Sequence, residues 1–261
     1  MDRAKSYSWL LTVIMGVALT TAIRELSTLI ATPLPQGVSN PSLTSALTRF
    51  GIFLLLSIRW TLGILWYFDR VYISKNPPTL GVNYFFDFFK ALINFLVFVP
   101  LAIAVTASSS TSPLATWMNT ALVGGKPVST FVWILLLILF YDLIFFLLKC
   151  GLWLVLKEVP LRIHIFWAIL NFLTLIFCML VYLLSVFRGS DPQAAAVSAE
   201  IPIFYIILFA TLIDLVGTVI EDSPLSKFLS PQPPAADPDP VDLGSGVTDG
   251  GHDQSTTAAG S

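Results

Sequence analysis

Charge is what this chain has least of. Asp, Glu, Lys and Arg together make up 11% of its 261 residues, well below the roughly 25% usual in water-soluble domains. Cysteine is almost as scarce: Cys150 and Cys178 stand alone inside apolar runs, in no CxxC pair and beside no histidine cluster. That pattern argues against a disulfide framework or a zinc site and reads as two small buried side chains. The fourteen basic residues are scattered singly rather than gathered on one face, which sets a nucleic-acid partner aside.

The usual marks of catalysis are missing as well. The chain has no G-x-S-x-G elbow, no H-E-x-x-H pair, no P-loop and no clustered aspartates of a lipid-phosphate transferase. Gly124-Gly125-Lys126 lacks the earlier glycine, the strand and the following hydroxyl of a phosphate loop, and reads as a turn. There is no T-V-G-Y-G-like filter and no ladder of arginines at every third position. No enzyme activity, cofactor or metal is expected from these residues.

What the chain has is apolar length, with 56% hydrophobic residues. A helix that spans a bilayer needs about 20 mostly apolar residues, and six stretches supply them: 8–32, 49–68, 84–106, 130–156, 163–187 and 201–220. Between them lie the proline and glycine clusters that end helices, among them Pro33-Leu34-Pro35-Gln36-Gly37, Asn76-Pro77-Pro78 and Gly189-Ser190-Asp191-Pro192. Arg3 and Lys5 ahead of the first apolar run resemble a signal peptide, but no A-x-A site follows and the apolar pattern resumes after Glu25, so a retained signal anchor is expected. The fold class is therefore all-α, a polytopic transmembrane helix bundle over residues 1–228. From 229 to 261 the composition turns to Pro, Asp, Gly, Ser and Thr, too poor in apolar surface to offset its ordering entropy, and a disordered acidic tail is expected there.

Orientation follows from Lys and Arg in the short loops. An inside N-terminus puts Arg3, Lys5, Arg70, Lys75, Lys157, Arg162 and Lys227 on the cytoplasmic side and leaves Lys126, Arg188 and Arg49 outside. Both termini are thus expected in the cytoplasm, in a plasma or inner membrane. Trp66, Tyr67, Tyr84 and Trp133 fall toward segment ends, where aromatic rings settle at headgroup level, whereas Trp60 sits mid-span. The loop 108–130, with Trp117 and Met118, is expected to dip into the outer interface.

The residues most in need of a reason are the charged ones inside the apolar segments, since each costs at least ~2.5–3.5 kcal/mol to insert. They are Arg24 and Glu25, Arg59, Asp87 and Lys90, Asp142 and Lys149, and Asp214: four basic and four acidic. Depth puts Arg59 and Asp142 both near mid-membrane and makes them the expected pair. Helical phase groups Asp87, Lys90 and Asn94 on one face, Asp142 and Lys149 on another, Thr211, Asp214, Thr218 and Glu221 on a third, and His164, Asn171, Cys178 and Ser185 at every seventh position. Arg24 and Glu25 lie ~100° apart on their helix, so one is expected to meet a partner while the other faces the outer interface. A short echo, Gly16 to Arg24 and Gly51 to Arg59, links the first two spans at equal spacing and carries little weight.

Polar strips on apolar helices must meet each other, a neighbouring subunit, or water. A hydrated path through them makes the chain a small channel or transporter-type protein, for which a homo-oligomer is expected. Dry pairing, which the balanced charges favour, makes it a structural or accessory subunit that binds a partner's helices. Truncation after Lys227 is expected to leave membrane insertion and folding intact; loss of the folded protein on truncation, seen by gel filtration in detergent, would contradict the assignment of the tail.

Overall fold

In a computed structural model of the chain, residues 2–31, 41–68, 82–106, 129–156, 161–188 and 192–222 are described, with a few positions between 113 and 121. Among them are six α-helices and no strand: α1 Asp2–Ala31, α2 Pro41–Phe68, α3 Val82–Ala104, α4 Thr130–Leu156, α5 Leu161–Arg188 and α6 Pro192–Asp222. Each contains an apolar stretch long enough to cross a bilayer, from 21 residues in α3 and α6 to 26 in α2. At 1.5 Å per residue even the shortest covers ~30 Å, the thickness of the hydrocarbon core. The chain is a multi-pass integral membrane protein. The expected tail at 229–261 and most of the loop 108–130 lie outside the described residues; Trp117 of that loop is exposed. The chain divides into two units, Met1–Val219, which holds the bundle, and Ile220–Ser261, described only as far as Asp222.

Helices need not end where apolar runs end, because the backbone hydrogen bonds continue through any residue that keeps helical geometry. Thus α2 begins at Pro41 rather than at Arg49, and α6 at Pro192 rather than at Ile201. Proline suits a first helical turn, where its missing N–H is not needed. Arg49 and Glu200 are each carried eight residues inside a helix as a result. Ser129 starts α4 as an N-cap, its Oγ accepting from Val132 N at 3.4 Å. Pro100 and Pro202 lie inside α3 and α6, where each removes one backbone hydrogen bond.

Side chains assemble the bundle. α1 packs on α2 and α3, α3 on α2 and α4, and α4 on α5. The core is aromatic and aliphatic, with Phe53, Phe95, Phe98, Leu135, Ile138, Ile203 and Ile207 buried in one cluster. Trp60, which sits mid-span, is part of it and meets Phe98 edge-on at 5.1 Å between centroids. Thr20, Thr21, Thr28, Thr48, Ser57, Thr174 and Thr211 return their hydroxyl hydrogens to the carbonyl four residues earlier, so these polar side chains need no partner outside their own helix.

The two glycine and arginine pairs of the first two spans serve different ends. Gly16 faces open space and Arg24 is exposed, whereas Gly51 lies against α6 and Arg59 is buried. A Cβ built at Gly51 would stand 2.8 Å from Phe204 Cε2, so the Phe204 ring of α6 lies directly against the α2 backbone there because Gly51 has no side chain. Gly51→Leu is expected to cost about 1–3 kcal/mol through overpacking, while Gly63→Ala, at a position with nothing within 4 Å of its Cβ, should be near neutral. Thermal unfolding of both variants in detergent checks this, and equal behaviour would refute the close approach.

Candidate functional site

Lipid offers a buried charge no partner, so each intramembrane ion must find one on a neighbouring helix. Asp142 of α4 is the centre of this arrangement. Its Oδ1 lies 2.9 Å from Lys90 Nζ and accepts from Asn94 Nδ2 at 3.2 Å, both on α3, while Oδ2 accepts from Asn171 Nδ2 of α5 at 2.6 Å. Lys90 also stands 3.6 Å from the centre of the Phe146 ring, a cation–π contact that helps hold its ammonium.

The expected pairing of Arg59 with Asp142 is not what the structure shows. Arg59 Nε donates to Asp214 of α6, and Nη2 donates to Asn171 Oδ1 at 2.9 Å. Asn171 thus stands between Arg59 and Asp142, with its carbonyl toward the cation and its amide toward the carboxylate. Depth alone does not say which carboxylate has the better angular position, and Asp214, on a parallel neighbour of α2, has it.

The remaining candidates pair across α3 and α4. Lys149 Nζ lies 2.8 Å from Asp87 Oδ1, an ion pair by distance though its angles fall outside those of a hydrogen bond. Asp87 Oδ2 accepts from Tyr67 of α2 at 3.0 Å. With Asp87 and Lys90 on α3, and Lys149 and Asp142 on α4, the antiparallel helices present opposite charges to each other at two levels. Glu25 is half-buried and accepts from Thr106 Oγ1 at 3.1 Å, whereas Arg24 is exposed. These two stand apart from the six other charges.

A second polar cluster was missed in the sequence. Glu200 of α6 accepts from Arg49 Nε at 2.7 Å, from Ser45 of α2, and from Ser129 Oγ at 3.4 Å; Arg49 Nη2 lies 2.7 Å from the same carboxylate. Arg49 and Glu200 are 2% and 0% exposed, so this pair is as dry as any among the described residues. The apolar runs stop beside both residues, which made them look like edge residues. The signal that could have found them is their equal distance from Pro41 and Pro192, the starts of two parallel helices.

Six of the eight candidates line one partly open cavity: Arg59, Asp87, Lys90, Asp142, Lys149 and Asp214. Asn94, Asn171, Tyr67, Trp60 and Trp167 complete its polar and aromatic wall. It offers about 80 Å³ to the centres of water molecules, room for several. Its lining residues come from the C-terminal halves of α2 and α6, the N-terminal half of α5, residues 87–94 of α3 and residues 142–149 of α4, so it lies from the middle of the bundle toward one end. On the other side lie the buried Phe53, Phe98, Leu135 and Ile203 and the Arg49–Glu200 pair. Among the described residues no group of three or more His, Cys, Asp or Glu could hold a metal ion, and the side chain of His164 lies outside the description.

Comparison with known protein families, characterised proteins and solved structures finds no match to this chain. The reading of the site rests on its geometry.

The pairing can be measured. In double-mutant cycles read by thermal unfolding in detergent, Arg59→Ala and Asp214→Ala should couple by about 1–3 kcal/mol, the range for residues in direct contact. Arg59→Ala and Asp142→Ala should couple less strongly, and only while Asn171 is present. Persistence of the second coupling in Asn171→Ala would place Arg59 directly on Asp142.

Proposed function

We propose that this protein is a membrane transporter whose solute site is the cavity around Arg59, Asp142 and Asp214. The observation that carries the reading is the coincidence of six ionised side chains with a cavity large enough for water near the middle of the bundle. Charges placed only to fasten helices would be expected to exclude water, since burial without space strengthens every pair. Here the ions are gathered around space instead, as expected for a hydrated binding site. With both termini in the cytoplasm, as the loop charges suggest, the cavity faces the cytoplasmic half of the membrane. The Phe53 and Leu135 layer and the Arg49–Glu200 pair then close the external half. A site open to one side and sealed on the other is what alternating access requires in one of its states. The protein needs no catalytic step for this work, and the reading includes none.

One observation favours a different reading, that of an accessory subunit: every cation that lines the cavity has a carboxylate within ion-pair distance. In that case the polar residues would be interhelical fasteners and a partner's helices would cover the exposed faces.

The two readings differ in water access. In a chain with Cys150→Ser and Cys178→Ala, the variants Gly63→Cys and Ala91→Cys place thiols on the cavity wall, and Leu135→Cys places one in the closing layer. A membrane-impermeant thiol reagent should label the first two from the cytoplasmic side of oriented vesicles and leave the third unmodified. Protection of all three from both sides would defeat the transporter reading in favour of dry packing.

A further inference from the structure

The seam between α2 and α6 is held differently from the other helix contacts. Among the described residues no extended backbone approach joins α6 to any other helix. Side chains bridge the gap to α2 instead: Arg49 to Glu200, Phe204 against Gly51, and Arg59 to Asp214. Past Arg59 and Asp214 the seam runs between Leu62 and Gly63 on α2 and Leu215 on α6, all three on the cavity wall. Leu62, at 50%, is the most exposed of the described lining residues, so the cavity reaches the flank of the bundle here. A Cβ built at Gly63 would meet nothing within 4 Å, which leaves space open beside α2 as well.

Depth says what lies outside that flank. Leu62 stands ~9 Å along the helix from Phe68, within the apolar stretch Leu43–Phe68, and Leu215 lies within the apolar stretch Val197–Gly217. A flank at that depth faces acyl chains, so what reaches the cavity by this route comes out of the bilayer. The rim, with Leu62 and Leu215, is apolar and suits a chain.

Charge says what can enter. Among the described lining residues Arg59, Lys90 and Lys149 balance Asp87, Asp142 and Asp214, and each cation has a carboxylate at ion-pair distance. A charged head would have to break one of these pairs or stay uncompensated in a low-dielectric site. An uncharged head with hydroxyls disturbs no pair: it takes the place of water beside the least enclosed ions, Lys90 and Asp214, whose side chains are 13% and 14% exposed. Room for several waters fits a head of a few heavy atoms.

We infer that the cavity takes the small uncharged head of a membrane amphiphile, of the kind a monoacylglycerol carries, while its chain passes through the α2–α6 seam at Leu62 and Leu215 and stays in the bilayer. This rests on the transporter reading and names its solute class and the way in.

Photolabelling of the full-length protein in lipid nanodiscs tests this with three single-chain probes, each with a diazirine on the chain carbon next to the head: a monoacylglycerol, an alkyl sulfonate and an alkyl trimethylammonium. Peptide mass spectrometry locates the labels. The monoacylglycerol probe should label wall residues such as Trp60 and Ala91. Excess unlabelled monoacylglycerol should remove those labels and leave labelling of the exposed Phe177 on α5 in place. Both charged probes should label Phe177 and not the wall. Gly63→Phe, which fills the open side of the seam, should cut wall labelling about tenfold or more. If Gly63→Phe fails to fold, Leu62→Trp at the exposed rim replaces it. Equal wall labelling by a charged probe, wall labels that survive competition, or wall labels undiminished in a folded seam variant would overturn the proposal. If no probe labels the wall while Ala91→Cys is modified from the cytoplasmic side, this inference falls and the transporter reading stands. If Gly63→Cys and Ala91→Cys are protected as well, both fall.

Discussion

A carboxylate cannot remain ionised in hydrocarbon without donors, and Asp142 shows how fully this chain obeys that constraint. Lys90 and Asn94 approach it from α3 and Asn171 from α5, so one side chain on α4 fixes the rotation of three helices. Asn171 then passes the constraint on to Arg59, and Arg59 to Asp214. Five of the six helices are joined through this chain of contacts. Net attraction between apolar faces is weak in lipid, because acyl chains are as apolar as leucine, and specific polar contacts of this kind therefore decide which helix faces meet.

The two halves of the bundle have different textures for the same reason. Toward the Arg49–Glu200 pair, the interfaces use small or flat groups: Gly51 under Phe204, and Phe53 edge-on to Phe98 at 6.0 Å. Rings lie against backbone and against each other, and space closes. Toward the other side, long charged side chains and the ring cluster of Trp66, Tyr67, Phe146 and Trp167 stand between the helices. Such side chains hold helices apart, and their charges prevent apolar groups from filling the gap. The cavity is a packing consequence of where the ions sit.

Much of this was legible in the sequence. Six spans followed from apolar length, and six of the eight charged candidates proved to share one wall because one-sided strips on apolar helices have nowhere else to turn. The partner of Arg59 was not legible, since choosing between Asp142 and Asp214 depends on crossing angles and on Asn171, which depth along separate helices does not encode. Arg49 and Glu200 were lost for a different reason: hydropathy measures where apolar residues stop, whereas helix geometry carries polar residues on into the bundle when both ends are anchored by a pair. Trp60 shows the converse, a mid-span aromatic that looked misplaced for a headgroup belt and is simply core.

The two ion pairs between α2 and α6 have a consequence for how the protein is made. Arg49 and Arg59 lie 151 and 155 residues ahead of Glu200 and Asp214. At roughly 5–20 residues per second, a ribosome needs on the order of 8–30 s to supply the missing anions. During that interval the second helix carries two arginines with no native counter-charge. The nascent bundle must therefore keep them near lipid phosphates, water or the insertion machinery, and it locks only when the last helix arrives.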